Sequence, residues 1–272
     1  MIQTMVDVFV SGFQNPSAWG IFLALAFGAA WLAPFAPWVL RLPTTALRAT
    51  LALLGVFVSS AILTWAAISF VQVSLQTWYG QALAHFWDQE TLMSWLLLAA
   101  APQILITGLV QEAAKLLPPL VLMRWHRPQG ARLALIVGAV SGAGFGIFEG
   151  QWALNMIFAS GWSWGTVQLG GFQALLGFWE RFFAIAFHIG ASAIAVYGLF
   201  RGRWWQFYLL AAFLHAFVNY SVVLLGTGYL TTLQIEIWVA VVALITVGIA
   251  LWLRWRPERG PVAETAMEAD GE

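Results

Sequence analysis

Residues 108–115 read GLVQEAAK and lie inside a long, mostly apolar run that extends from Trp95 to Trp125. A run of this length crosses a bilayer as a helix, and a charge near its centre is costly unless it is paired or faces a water-filled cavity. Glu112 and Lys115 stand at such a depth, three positions apart and therefore on one helix face. This pair is the first candidate for a functional site.

The composition places the whole chain in a membrane. Of its 272 residues, 61% are hydrophobic and only 9% are charged, and apolar segments long enough to span a bilayer recur along it. The sequence has no cysteine, which excludes both a disulfide framework and a thiolate metal site. We therefore predict an all-α fold, a polytopic bundle of transmembrane helices.

Seven spans are predicted, near residues 18–40, 46–73, 92–123, 132–159, 172–200, 204–225 and 230–253. Pro34 and Pro37 lie late in the first span and should kink or end it. Most basic residues fall on alternate connections or after the last span, namely Arg41, Arg48, Arg124, Arg127, Arg132, Arg201, Arg203, Arg254, Arg256 and Arg259. The positive-inside rule then predicts an outer N-terminus and a cytoplasmic C-terminus.

The domain organisation follows from the same pattern. Residues 1–259 form one transmembrane domain, and the acidic tail 260–272 is predicted to be disordered. Residues 74–91 are amphipathic and are expected to lie along the outer membrane interface.

Buried polar groups on four predicted helices fall at a similar depth. Counted from the nearest arginines, Glu112, His188 and His215 lie roughly 18–20 Å into the membrane. Asn219 lies about one turn beyond His215, and Glu149 lies roughly 25 Å from its end of the helix. This agreement predicts that the five side chains line one cavity.

Helix faces refine this prediction. His215 and Asn219 are four positions apart and project together, and Gln111 ends a polar stripe that includes Gln103 and Thr107. Glycines recur every fourth residue before Glu149, at positions 138, 142 and 146. Because small residues at this spacing let another helix approach closely, we expect them to bring Glu149 against the helix that carries Glu112.

Such a set of side chains suits the activation of water. A carboxylate takes a proton from water, with or without a metal, and His or Asn donors stabilise a developing oxyanion. Each group alone also has a structural interpretation, as a buried ion pair or a hydrogen-bonded core side chain. A transporter or an ion relay that uses the same buried groups is the main functional alternative, and a non-catalytic scaffold is another.

Four motifs resemble those of PrsW-type and YhfC-type membrane proteases and of the related CAAX prenyl proteases. The resemblance covers about residues 95–222, and the motifs follow in order: Gly108-x-x-Gln111-Glu112-x-x-Lys115, Gly142-Ala-Gly144-Phe145-Gly146-x-x-Glu149, Glu180-Arg181 followed by His188, and His215-x-x-x-Asn219. One departure is Gln111, because these families usually have two consecutive glutamates there.

The resemblance implies an intramembrane endopeptidase of a prokaryotic plasma membrane, acting on a membrane-anchored protein or peptide. Its implied catalytic residues are Glu112, Glu149, His188, His215 and Asn219, supported by Lys115, Gln111, Glu180 and Arg181. A divalent ion, Zn²⁺ by the donor types, would be held by Glu149, His188 and His215. Because a nearby cation favours an ionised carboxylate, we predict that Lys115 keeps Glu112 ionised as the general base.

Overall fold

A computed structural model describes residues 2–35, 46–125 and 130–256 of the chain, and within these ranges it contains helices and no strand. The α-helices are α1 (Ile2–Ser11), α2 (Ala18–Leu32), α3 (Ala46–Ala67), α4 (Val73–Phe86), α5 (Gln89–Ser94), α6 (Leu96–Trp125), α7 (Ala131–Ala159), α8 (Trp164–Gly170), α9 (Leu176–Phe200), α10 (Trp204–Gly226) and α11 (Thr232–Trp255). Single turns of 3₁₀-helix extend α2 and precede α9.

Seven helical segments in the described ranges are long and apolar enough to cross a membrane, which confirms the predicted fold class. They are Ala18–Phe35, Arg48–Phe86, Leu96–Trp125, Ala131–Ala159, Trp164–Phe200, Trp204–Gly226 and Thr232–Trp255. Pro37 and the predicted acidic tail 260–272 lie outside the described residues. The orientation of the termini stays a prediction.

The second span is longer than the sequence pattern suggested. A π-helical turn at Ile68–Gln72 joins α3 directly to α4, so that residues 74–86 continue the span instead of starting a separate segment. The side chains of α4 also pack on α6, where the Tyr79 hydroxyl donates to the carbonyl of Ala99 at 3.1 Å. A helix of 39 residues is longer than the roughly 30 Å core of a bilayer requires, so the membrane boundary near residue 73 and the interfacial position of residues 74–91 stay predictions.

Helix α6 contains prolines in its interior, and α7 supplies a hydrogen bond that one of these prolines cannot make. Pro119 has no N–H, so it cannot donate to the carbonyl of Lys115 four residues earlier. The hydroxyl of Ser141 on α7 donates to that carbonyl at 2.6 Å. Ser60 on α3 donates in turn to the carbonyl of Ser141 at 2.7 Å. The three helices are thus tied together beside Lys115, at a backbone group that a regular helix would have satisfied alone.

The glycine stripe of α7 faces α9. A Cβ added to Gly142 would lie 2.1 Å from the carbonyl oxygen of His188, and one added to Gly138 would lie 2.5 Å from that of Ser192. The stripe therefore brings Glu149 to the helix of His188. The expectation that it would bring Glu149 to the helix of Glu112 was wrong, because spacing along one helix does not identify the neighbour that it contacts.

Gly142→Ala is expected to destabilise the bundle by about 1–3 kcal/mol, because the new methyl group forces α7 and α9 apart. Gly248→Ala is the matched control, since a Cβ there meets no atom within 4 Å. Reversible unfolding in mixed detergent micelles measures both variants. An unchanged free energy of unfolding in Gly142→Ala would show that the two helices do not depend on this close approach.

Candidate active site

Glu112 reaches α10 because Gly108 lies one turn before it on α6. A Cβ at Gly108 would lie 2.1 Å from the carbonyl oxygen of Ala212, so only glycine permits this approach of the two backbones. The Oε1 atom of Glu112 then lies 2.7 Å from Nδ1 of His215. Both side chains are buried, with Glu112 at 0% and His215 at 3% relative exposure.

Lys115 is the cation at the centre of the site. Its Nζ lies 2.5 Å from Oε1 of Glu112 and 3.0 Å from Nδ1 of His188, and its side chain is almost fully buried. The ring of Phe145 lies below the ammonium at 5.7 Å from the ring centroid. The ammonium therefore connects the carboxylate on α6 to the imidazole on α9 in surroundings that contain few other polar groups.

His188 makes a polar contact on each side of its ring. Nε2 lies 3.0 Å from Oε2 of Glu149 on α7, opposite the Nδ1 atom that faces Lys115. An ammonium only donates hydrogen bonds, so Nδ1 accepts, and the ring proton must then be on Nε2, where it is donated to Glu149. The contacts thus fix the tautomer of His188 and the orientation of its ring.

Glu149 is also the link to a second group of charges. Its Oε2 lies 3.7 Å from Nη1 of Arg181, whose guanidinium pairs with Glu180 as well. Arg181 and Glu149 are only partly buried, at 18% and 22% side-chain exposure, so this group lies nearer the surface than Lys115. Glu180 and Arg181 therefore contact the site through Glu149 and not through Glu112.

Two predicted site residues stand apart from this network. Asn219 lies one turn beyond His215 on α10 and is half-buried, and within the described residues its side chain makes no hydrogen bond. Gln111 is buried, and its Nε2 donates to Oε1 of Gln72 at 3.0 Å. The structure thus brings Glu112, Glu149 and both histidines together, and within the described residues Asn219 makes no hydrogen bond to them.

Sequence reasoning missed the partner of the polar stripe on α6. Gln72, in the π-helical turn, donates to the hydroxyl of Thr107 at 3.2 Å, and Gln76 donates to the same hydroxyl at 3.0 Å. Gln72 lies at the end of the predicted second span, and Gln76 lies just beyond it. Gln72 and Gln76 are four positions apart, like the polar residues of the stripe on α6. This shared spacing could have indicated that the two polar faces contact each other.

The site fits a metal ion by its donor set. Glu112, His188 and His215 each offer one ligand atom, and these three atoms lie within 4.8 Å of one another. The Oε2 atom of Glu112 is buried and has no hydrogen-bond partner among the described residues. Two imidazoles and a carboxylate are a known ligand set for catalytic zinc. The donor types of these residues therefore fit such an ion.

The carboxylate of this set differs from the predicted one. Glu149 was expected to join His188 and His215, but it contacts the Nε2 side of the His188 ring, away from Glu112 and Lys115. A carboxylate on the second nitrogen of a metal-binding histidine orients that ring and keeps its tautomer. The arrangement places Glu112, and not Glu149, with the two imidazoles, and it favours Glu149 as the group that orients His188.

Fold and site together define the class: a polytopic helical membrane protein with carboxylates, imidazoles and an ammonium buried at the centre of its bundle. A model of the YhfC intramembrane metalloprotease family matches residues 158–244, which supports a YhfC-type assignment of the chain. The matched part contains His188, His215 and Asn219, and it begins after Glu112 and Glu149 in the chain. No curated protein and no solved structure matches the chain significantly. The likeness to the PrsW-type and CAAX prenyl proteases stays a prediction from the motifs.

Proposed function

We propose that this protein is an intramembrane endopeptidase that hydrolyses a peptide bond of a membrane-anchored protein or peptide. The observation that carries the proposal is the asymmetric environment of Glu112. Its Oε1 accepts from both Lys115 and His215, whereas its Oε2 is buried without a partner. A carboxylate fixed through one oxygen and open at the other is suited to take a proton from a water molecule. The match to a family of intramembrane metalloproteases agrees with this chemistry.

Glu112 is the general base in this mechanism. Lys115 stabilises its ionised form, and the donated hydrogen bonds at Oε1 hold the carboxylate so that Oε2 faces the reacting water. Water attacks the carbonyl carbon of the peptide bond while its proton moves to Oε2. Glu112 then returns this proton to the nitrogen of the leaving amine, so that one residue acts as base and as acid.

His188 and Glu149 have a positioning role. Glu149 accepts the Nε2 proton of His188, and Arg181 holds Glu149 in turn, so that the lone pair on Nδ1 is kept directed at the centre of the site. His188 and His215 would hold a divalent ion such as Zn²⁺, which would supply Lewis-acid polarisation of a peptide carbonyl when it is bound, while Glu112 keeps Oε2 for the proton of water.

Asn219 is proposed to bind the oxyanion. Its carboxamide can always donate a hydrogen bond, whereas His215 already uses Nδ1 on Glu112. The absence of a competing hydrogen bond at Asn219 within the described part of the chain leaves this donor available. His215 would then act mainly by holding Glu112.

Metal content gives a direct test of the ligand set. We expect purified His188→Ala and His215→Ala to retain at least tenfold less of a divalent ion than the parent protein, because loss of a residue that only orients a ligand already costs about 10–100-fold in affinity. His85→Ala is the matched control, since His85 is exposed and lies in α4, outside the site. Elemental analysis by mass spectrometry measures occupancy without reference to activity. Equal occupancy in all variants, or none in the parent, would remove the metal from the mechanism.

Hydrolysis itself is tested in proteoliposomes. The parent and His85→Ala are expected to cleave members of a library of membrane-anchored peptides in H₂¹⁸O, with one ¹⁸O atom in each new carboxyl terminus. Glu112→Gln is expected to give this product at least about 10²-fold more slowly. Lack of cleavage by the parent, together with proton or cation flux that Glu112→Gln abolishes, would favour the transporter or relay alternative instead.

A further inference from the structure

A polar cavity lies away from the catalytic cluster, where α9 ends and α10 begins. It has a volume of about 470 Å³ and is lined by Tyr197, Phe200, Arg201, Arg203 and Phe207. This volume is in the range of about 300–1,000 Å³ that is typical of small-molecule sites. The cavity combines two cationic side chains with three aromatic ones, and the proposed peptidase mechanism uses none of them.

The backbone turn between the helices fixes both arginines beside the cavity. Gly202 has φ +71°, and the N–H of Arg203 donates to the carbonyl of Gly198 at 2.9 Å. This is the hydrogen bond that closes a helix at a left-handed glycine. Arg201 therefore stands at the end of α9 and Arg203 directly before α10, with one residue between them. The two guanidinium groups start from backbone positions that the turn holds close together.

A glycine also forms the aromatic wall of the cavity. A Cβ at Gly198 would lie 2.2 Å from atoms of Phe207, so the phenyl ring packs directly on the backbone of α9. The ring of Tyr197 meets that of Phe207 edge-on, with 5.9 Å between the centroids. Specific packing of aromatic rings therefore builds one side of the cavity, and the two arginines line another part.

Among the described residues, the charged side chains at this end of the bundle are all basic. Arg48, Arg124, Arg132, Arg254 and Arg256 lie at the same end of the bundle, because successive long helices run in opposite directions. We call this end the basic end. Arg201 and Arg203 are exposed, and within residues 2–35, 46–125 and 130–256 neither forms an ion pair with an acidic side chain. Two guanidinium groups without a carboxylate partner can bind an anion.

The position of the cavity identifies the kind of anion. Trp204 and Trp205 follow Arg203 directly and are 56% and 53% exposed, as is typical of tryptophans at a membrane–water interface. A basic pocket between membrane helices at this level meets the phosphate groups of lipids, and aromatic walls suit the glycerol and upper acyl carbons of the same molecule. A free phosphate would use the arginines but not the apolar wall.

We propose that this cavity binds the head group of an anionic phospholipid, with the phosphate between Arg201 and Arg203 and the glycerol backbone against Phe207. The positive-inside rule predicts that the basic end is cytoplasmic, and anionic phospholipids are enriched in the cytoplasmic leaflet. The proposal does not depend on the peptidase activity.

Lipid binding to the full chain tests this site. Dioctanoyl phosphatidylglycerol is titrated into the protein in neutral detergent and the bound fraction is measured by native mass spectrometry, with dioctanoyl phosphatidylcholine as the neutral lipid. We expect Arg201→Gln/Arg203→Gln to bind phosphatidylglycerol about thirtyfold more weakly than the parent, since each arginine contributes roughly a factor of five. Binding of phosphatidylcholine should not change.

Arg48→Gln/Arg124→Gln is the matched control, because it removes two exposed arginines of the basic end that do not line the cavity. It is expected to bind phosphatidylglycerol within about twofold of the parent. Equal losses in the two double variants would overturn the proposal, since they would indicate a diffuse attraction to the whole basic end. Inorganic phosphate that displaces the lipid at a similar concentration would also overturn it, in favour of a site for free phosphate.

Discussion

Glu112→Gln is expected to lower the rate of peptide cleavage by about 10²–10⁴-fold, the usual contribution of a general base. Glutamine has nearly the same shape as glutamate, and its amide oxygen can still accept hydrogen bonds from Lys115 and His215. What the amide cannot do is take a proton from water at the position of Oε2. The measurement is the initial rate of cleavage in proteoliposomes, with protein folding checked by the reversible unfolding described for Gly142.

Glu90→Gln is the control for this substitution, because Glu90 is an exposed glutamate in α5, outside the site. It should cleave at the rate of the parent. Full activity in Glu112→Gln, combined with loss of activity in Glu149→Gln, would give the role of general base to Glu149. That result would also make the ion pair between Glu112 and Lys115 a structural feature of the bundle.

Lys115→Met is expected to lower the free energy of unfolding by about 3–5 kcal/mol, because it leaves the charge of Glu112 buried without its cation. The two side chains are 0% and 1% exposed, so water cannot replace the missing partner. The loss is measured by reversible unfolding in mixed micelles. Activity should fall as well, since the ionised form of Glu112 loses the charge that stabilises it.

The double variant Glu112→Gln/Lys115→Met separates these two effects. Replacing a buried ion pair by neutral groups of similar volume is often close to neutral for stability, so most of the free energy of unfolding should return. The rate of cleavage should stay as low as in Glu112→Gln, because the double variant has no base. A double variant as unstable as the sum of the two single variants would show that the residues do not act as a pair.

The sequence allowed the depth of the site to be predicted. A transmembrane helix has a nearly fixed rise per residue, and its arginines mark one end, so the positions of Glu112, His188 and His215 along the membrane normal follow from counting. These three side chains contact one another or share Lys115 as a partner in the structure. The same counting placed Glu149 somewhat further along, where it meets His188 from the other side of the ring.

Rotation about the helix axes could not be predicted in the same way. In lipid almost every surface of a helix is apolar, so the pattern of polar residues indicates a face without indicating the helix that it meets. For this reason the neighbour of the glycine stripe was assigned wrongly, and the side of the His188 ring that Glu149 contacts could not be predicted. The contact of Ser141 with α6 was also not predicted. Its partner is the carbonyl of Lys115, which has no helical donor because of Pro119, and a pattern of side chains does not show such a group.

The π-helical turn at Ile68–Gln72 affects where related sequences can gain or lose a residue. A π turn holds one residue more than an α turn, so the loss of one residue there leaves a regular helix with the faces before and after it still aligned. A relative that is one residue shorter at this turn would keep its equivalent of Gln76 against Thr107. A deletion of one residue elsewhere between Ala46 and Phe86 would instead rotate one part of the helix against the other by about 100°. Gaps in the second span of related sequences should therefore concentrate at this turn.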